Sequence, residues 1–153
     1  YLWFTANTEF KLLGQPSWGE LEWGSGGSGK LAPRGGNITV NNATAELYKL
    51  TADLNALTYS ATPVTWSITG TATSGTPIQL NYDETTRQLQ ITTTLTEGQF
   101  VFQETGADNR TLGVYFGTQL MDNGTEIIIP ASGRYTVTLN LSQYPYTYEV
   151  KES

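Results

Sequence analysis

A chain of 153 residues with no Cys and no His excludes several chemistries at once: a disulfide framework, a Ser-His-Asp triad and the usual zinc sites. Its formal charge of -6 comes without a basic cluster, which argues against nucleic acid, whose binding rests on Lys and Arg neutralising phosphates. No apolar run is long enough to span a bilayer, and no stretch reads as a signal peptide.

Thr, Gly, Tyr and Asn dominate, and helix-compatible periodicity is missing, so the composition is that of an all-β protein. Tyr1-Leu-Trp-Phe-Thr5 begins abruptly, already inside what reads as a strand, and leads through a turn to Phe10-Lys-Leu-Leu13. Gly14-Gln-Pro-Ser17 breaks the pattern with turn formers. Trp18-Gly-Glu-Leu-Glu-Trp23 follows, and then Gly24-Ser-Gly-Gly-Ser-Gly29, which reads as a mobile surface loop that lets a ligand approach the backbone. Ile38-Thr-Val40 and a hairpin over Leu47–Ser60 come next. Ala61-Thr-Pro63 reads as a join stiffened by Pro63.

Beyond it, Val64-Thr-Trp-Ser-Ile68 alternates cleanly, and Trp66 belongs to a core on that ground. Gly70–Pro77 is a loop. Ile78–Tyr82 and Leu89–Leu95 flank a turn at Asp83-Glu-Thr-Thr86. Phe100–Phe102, Gly113–Phe116 and Ile127–Ile129 supply further strands. A closing hairpin then places Tyr135, Val137, Leu139 and Leu141 on one face, and Tyr146, Tyr148 and Val150 alternate after the turn.

The two hairpins match each other. Tyr48 falls on Tyr135, Leu50 on Val137, Leu54 on Leu141 and Tyr59 on Tyr148, with two extra residues near Tyr144 and Pro145. Upstream, Gly36–Val40 resembles Gly124–Ile129, and Thr8–Leu12 resembles Glu97–Phe102. Preserved order at a domain-sized spacing predicts tandem copies of one β-sandwich unit, residues 1–62 lacking its first strands and residues 63–153 complete.

The candidate chemistry is aromatic. Trp18 and Trp23 bracket Glu20 and Glu22 beside the glycine-rich run. An exposed indole stacks on the apolar face of a pyranose while neighbouring charges bond its hydroxyls; the competing reading packs these rings in a core. Lys11, Lys30 and Arg34 flank the region as donors. The corresponding stretch of the second copy offers Asp108, Asn109, Arg110 and Tyr115 as a weaker polar site. Glu20 and Glu22 share a face if their segment is a strand, about 7 Å apart. That admits a small glycosidase as a third option, although no sequence feature makes either an acid. Asp108-Asn109 and Asp122-Asn-Gly124 are too sparse for a calcium loop, and no metal or cofactor is expected. Asn37, Asn42, Asn109, Asn123 and Asn140 start sequons.

Glu9-Phe-Lys11, Trp18, Gly35-Gly-Asn-Ile38, Leu47–Leu54 and Thr58-Tyr59, with Thr62–Thr73 and the hairpin Gly133–Val150, resemble the SusE/SusF family of outer-membrane lipoproteins from Bacteroidetes glycan-utilisation systems. The resemblance covers nearly the whole chain. It implies tandem immunoglobulin-like or carbohydrate-binding-module-like β-sandwiches at the cell surface, held by a lipid anchor outside this sequence. It further implies non-catalytic binding of a starch-like oligo- or polysaccharide beside a SusC-like transporter and a SusD-like binder. Lys11 and Trp18 are then the expected sugar contacts, while a bacterial source would leave the sequons bare. The second copy departs from the pattern: Val101 stands where Lys is expected, and Gly106–Arg110 replaces the Trp loop. An assembly subunit that docks on the transporter without binding sugar is the alternative.

Overall fold

Residues that suit a pleated, half-buried surface recur along the whole chain, and they form strands throughout. The computed structural model describes residues 1–153 and contains eighteen β-strands, one short 3-10 turn and no α-helix. The molecule is all-β, built from antiparallel sheets of the β-sandwich type. The chain divides into two compact units, Tyr1–Pro63 and Val64–Ser153.

Unit 1 holds β1 (Leu2–Phe4), β2 (Glu9–Phe10), β3 (Leu12–Leu13), β4 (Glu22–Ser25), β5 (Leu31–Pro33), β6 (Ile38–Thr39), β7 (Glu46–Asp53) and β8 (Thr58–Pro63). They pair as β1-β7-β8, β2-β6 and β3-β4-β5. Phe4, Leu31, Ile38, Val40, Leu47 and Tyr48 are buried, with the adjacent Leu47 and Tyr48 covered on opposite faces of β7 and Phe4, Val40 and Tyr48 packed in one cluster. The Phe4 ring stacks on Phe10 at 5.5 Å and on Tyr48 at 5.4 Å between centroids.

Unit 2 holds β9 (Thr65–Gly70), β10 (Ile78–Gln79), β11 (Asn81–Asp83), β12 (Gln88–Leu95), β13 (Gly98–Thr105), β14 (Thr111–Phe116), β15 (Gln119–Asp122), β16 (Ile127–Ile129), β17 (Gly133–Asn140) and β18 (Thr147–Glu152). Its ladders run continuously in the order β10-β9-β13-β14-β15-β18-β17-β12-β11, with β16 also on β13. Trp66, Ile68, Leu95, Phe100, Phe102, Leu112, Ile129, Val137 and Leu139 are fully buried in its core. Phe100 and Phe102 meet edge to face at 5.5 Å.

The ladders of the two units correspond pair by pair. Phe10 faces Ile38 as Phe100 faces Ile127. Leu12 faces Trp23 as Phe102 faces Leu112, and Leu50 faces Ala61 as Val137 faces Val150.

Three sequence expectations change. Ala61–Pro63, read as a join, is itself part of a strand: β8 pairs through Pro63 with Tyr48, and only Val64 separates it from β9. β4 and β15 are strands that the apolar pattern alone did not mark. The run Gly24–Gly29 is not one loop. Gly24 and Ser25 belong to β4, and the remainder is a turn in which the Gly26 N–H donates to the Lys30 carbonyl at 2.8 Å. Gly24 is required by space: a Cβ there would lie 2.1 Å from the Gly36 carbonyl oxygen.

Candidate functional site

Lys11 stands between β2 and β3, on the side of the strand opposite Phe10 and Leu12. Across the β3-β4 ladder Leu12 faces Trp23 and Leu13 faces Glu22. Period-two geometry therefore puts Lys11, Leu13 and Glu22 on one face, with Lys11 and Glu22 as diagonal neighbours. The ammonium of Lys11 lies 3.5 Å from Glu22 Oε1, and both side chains are largely covered, at 17% and 14% exposure.

Residues 14–21 leave β3 as a run of bends and return to β4, closed at the base by the Gly14 N–H donating to the Leu21 carbonyl at 2.8 Å. Within that excursion Trp18 is 69% exposed. Lys11 Nζ sits over its ring, 5.6 Å from the centroid, within the range of a cation–π contact. One ammonium thus bridges a covered carboxylate and an exposed indole. The result is a flat apolar surface flanked by a donor and an acceptor, the combination that an amphipathic ring with hydroxyls on its rim can meet.

The other candidates fall elsewhere. Trp23 is half-buried in β4, paired with Leu12 and Pro33, and its ring packs where a Cβ on Gly14 would touch it at 3.2 Å. Because Glu22–Ser25 is a strand, Trp23 points to the face opposite Lys11. It therefore does not share a platform with Trp18. Glu20 lies in the bends, where its carboxylate accepts from Arg34 Nη2 at 3.0 Å in full solvent. Glu20 and Glu22 thus take different cations and do not face each other across a cleft. Lys30 is exposed at the β4-β5 turn, where it bridges to Thr58, at the far end of that hairpin from Glu22. Trp3 is half-buried in β1, and Trp66 is fully buried in β9.

Sequence reasoning assigned Glu22 only an enzymatic option and missed it as the partner of Lys11. The signal available was the Leu12/Trp23 apolar pair, whose register brings Leu13 beside Glu22.

In unit 2 the weaker candidates do not converge. The Asp108 N–H donates to the buried Glu104 Oε1 at 2.7 Å, and Asn109 sits at φ 53° in the turn. Arg110 grips Asp122 with two nitrogens, at 2.8 and 3.2 Å, and its guanidinium lies 5.7 Å from the Tyr146 ring centroid. Tyr115 is 67% exposed toward the other end of β14. It borders an open groove of about 630 Å³ with Ile128, Tyr148, Glu126 and Glu149.

No protein-family model matches the chain, and neither a curated protein nor a solved structure matches it significantly.

Proposed function

We propose that the chain is a non-catalytic glycan-binding module and that Trp18, Lys11 and Glu22 form its binding surface. The observation that carries this reading is the exposed indole of Trp18, held in place by an ammonium that is itself anchored to a covered carboxylate. Such a ring stacks on a pyranose face. The Lys11 ammonium and Glu22 carboxylate then donate to and accept from its hydroxyls. With the resemblance to SusE/SusF lipoproteins, the reading extends to a starch-like polysaccharide at the outer-membrane surface, beside a SusC-like transporter and a SusD-like binder.

Calorimetric titration of the purified chain with soluble glycans, α-glucans first, tests it. One glycan should bind saturably, and Trp18→Ala should weaken it at least about tenfold, the loss of roughly 1.4 kcal/mol of contact. Lys11→Met should weaken it less, and Lys30→Ala should leave it unchanged. Full affinity in Trp18→Ala sinks the assignment.

One observation favours the assembly reading instead. Unit 2 exposes Tyr115, Phe116, Met121, Ile128 and Tyr144, apolar surface of the kind that marks protein contacts. A flat response across the glycans, with Phe116→Ser and Ile128→Ser abolishing co-purification with a SusC-like transporter, would establish that role.

A further inference from the structure

Each unit lengthens a different connection, and each lengthened connection carries an exposed aromatic ring. In unit 1 it is the excursion Gly14–Leu21 with Trp18. In unit 2 it is the closing hairpin: four residues, 54–57, join β7 to β8, whereas six, 141–146, join β17 to β18. The longer turn carries Tyr144, which is 86% exposed.

This turn is tied down at both ends. Leu141 is buried, and Asn140 Oδ1 accepts from the Ser142 N–H at 2.9 Å and from the Ser142 hydroxyl at 2.6 Å. On the other side the Leu120 N–H of β15 donates to the Tyr146 carbonyl at 2.9 Å. The Tyr144 and Tyr146 rings meet edge to face, with centroids 5.7 Å apart and planes inclined by 83°. The half-buried Tyr146 has the Arg110 guanidinium 5.7 Å from its ring centroid, and Arg110 holds Asp122 of β15 at 2.8 and 3.2 Å. Phe116, by contrast, faces Gln119 at the opposite end of β15.

The same logic thus appears twice, with different residues at different places in the fold. A carboxylate anchors a cation, the cation lies against an aromatic ring, and the assembly ends in a ring open to water. An exposed phenol does little for the core, but one braced from behind presents its free face with little ordering left to lose on binding. We propose that Tyr144, braced by Tyr146 and Arg110, is a second carbohydrate-binding surface. The proposal rests on the glycan-binding reading of the chain. A pyranose stacks on the Tyr144 ring, and the Arg110 guanidinium and the 57% exposed Asp122 carboxylate meet hydroxyls of the adjoining sugar residue. A phenol offers less apolar face than an indole, so this surface is the weaker of the two and supplies the binding that remains when Trp18 is removed.

The test titrates the 153-residue chain carrying Trp18→Ala with a panel of malto-, cello-, laminari-, manno- and xylo-oligosaccharides, followed by heteronuclear amide NMR. One oligosaccharide should shift the amides of Gln143, Tyr144 and Tyr146 saturably. Adding Tyr144→Ala should weaken that binding at least about tenfold, whereas Tyr144→Phe, which keeps the ring, should preserve it. Tyr144→Ala should leave the denaturation midpoint unchanged, because the side chain it removes is exposed. If wild type binds an oligosaccharide and Trp18→Ala binds none, the Tyr144 surface is overturned and the Trp18 reading stands. Residual binding that Tyr144→Ala leaves intact also overturns it. A wild-type chain silent to the whole panel overturns both.

Discussion

The two units cross a pair of chain segments at the same point with the same backbone bonds, yet they surround the crossing with different side chains. The Ser25 N–H donates to the Gly36 carbonyl at 2.8 Å, and the Val114 N–H to the Thr125 carbonyl at 2.6 Å. Arg34 and Asn123 both turn at positive φ, 54° and 53°, and both donate back across the hairpin at 3.0 Å, to Glu22 and Thr111 respectively. Side chains there diverge. Arg34 reaches out to Glu20 in solvent, whereas Asn123 accepts from the Thr111 hydroxyl at 2.9 Å. The upstream connection diverges more, since Gly14–Leu21 carries Trp18 where unit 2 has only the short turn before Arg110. The repeat thus conserves backbone pairing and leaves loop chemistry free, so a binding surface can belong to one copy alone.

The crossing gives the largest expected effect. An alanine Cβ at Gly24 would lie 2.1 Å from the Gly36 oxygen, and one at Gly113 would lie 2.3 Å from the Gly124 oxygen. Both obstacles are backbone and cannot rotate away. Gly24→Ala and Gly113→Ala should each cost their own unit at least about 3 kcal/mol, read as separate transitions in chemical denaturation. A Cβ at Gly36 meets nothing within 4 Å, and the corresponding residue of unit 2 is Thr125. Gly36→Ala should therefore change stability by less than about 0.5 kcal/mol. Equal costs at Gly24 and Gly36 would break the correspondence between the units.

A second contrast is smaller. The Asn7 N–H of unit 1 donates to Asn42 Oδ1 at 3.0 Å, and the Glu97 N–H of unit 2 donates to Ser132 Oγ at 2.9 Å. Asn42 does more: its Nδ2 also donates to the carbonyls of Thr5 at 3.0 Å and Thr44 at 2.7 Å, with the residue only 4% exposed. Removing it takes the partner from several part-buried backbone groups at once, so Asn42→Ala should cost about 2 kcal/mol in denaturation, and Ser132→Ala about 1 kcal/mol. The same bonds occupy the side-chain amide of the Asn42 sequon in holding the fold.

Long alternating strands were legible because a period of two survives any loop geometry: β7, β12, β13 and β17 all lie where their patterns put them. β4 and β15 were not, since Glu22-Trp-Gly-Ser25 and Gln119-Leu-Met-Asp122 are too short to show a period. Trp18 and Lys11 could be chosen by residue type. The face of Trp23 and the partner of Lys11 could not, because both follow from the register of β3, a strand of two residues. The dispersal of Asp108–Arg110 from Tyr115 has the same origin, a strand placed between residues that looked adjacent.

The smallest effect concerns charge at two turns of the same kind, one in each unit but not equivalent in the repeat. Asp53 Oδ1 accepts from the N–H groups of Asn55 and Ala56, both at 2.9 Å, after β7. Asp83 Oδ1 accepts from Thr85 at 2.8 Å and Thr86 at 3.2 Å after β11, and its Oδ2 accepts from Gln90 Nε2 at 2.9 Å. The backbone N–H groups of Thr86 and then Thr85 hold the Asp83 carboxyl below its ordinary value of 3.8. A depressed folded pKa stabilises the fold where the group is ionised in both states. That contribution is complete above the unfolded value and is lost as pH falls through the folded one. Asp83→Asn keeps an acceptor oxygen in the turn and removes the charge, so it isolates this linkage. The denaturation midpoint of unit 2 should exceed that of Asp83→Asn by a constant margin from about pH 7 to 5, and the margin should close as pH drops below about 4. A margin that persists unchanged to about pH 2 would mean that the amide itself fits the turn poorly and that ionisation contributes nothing there.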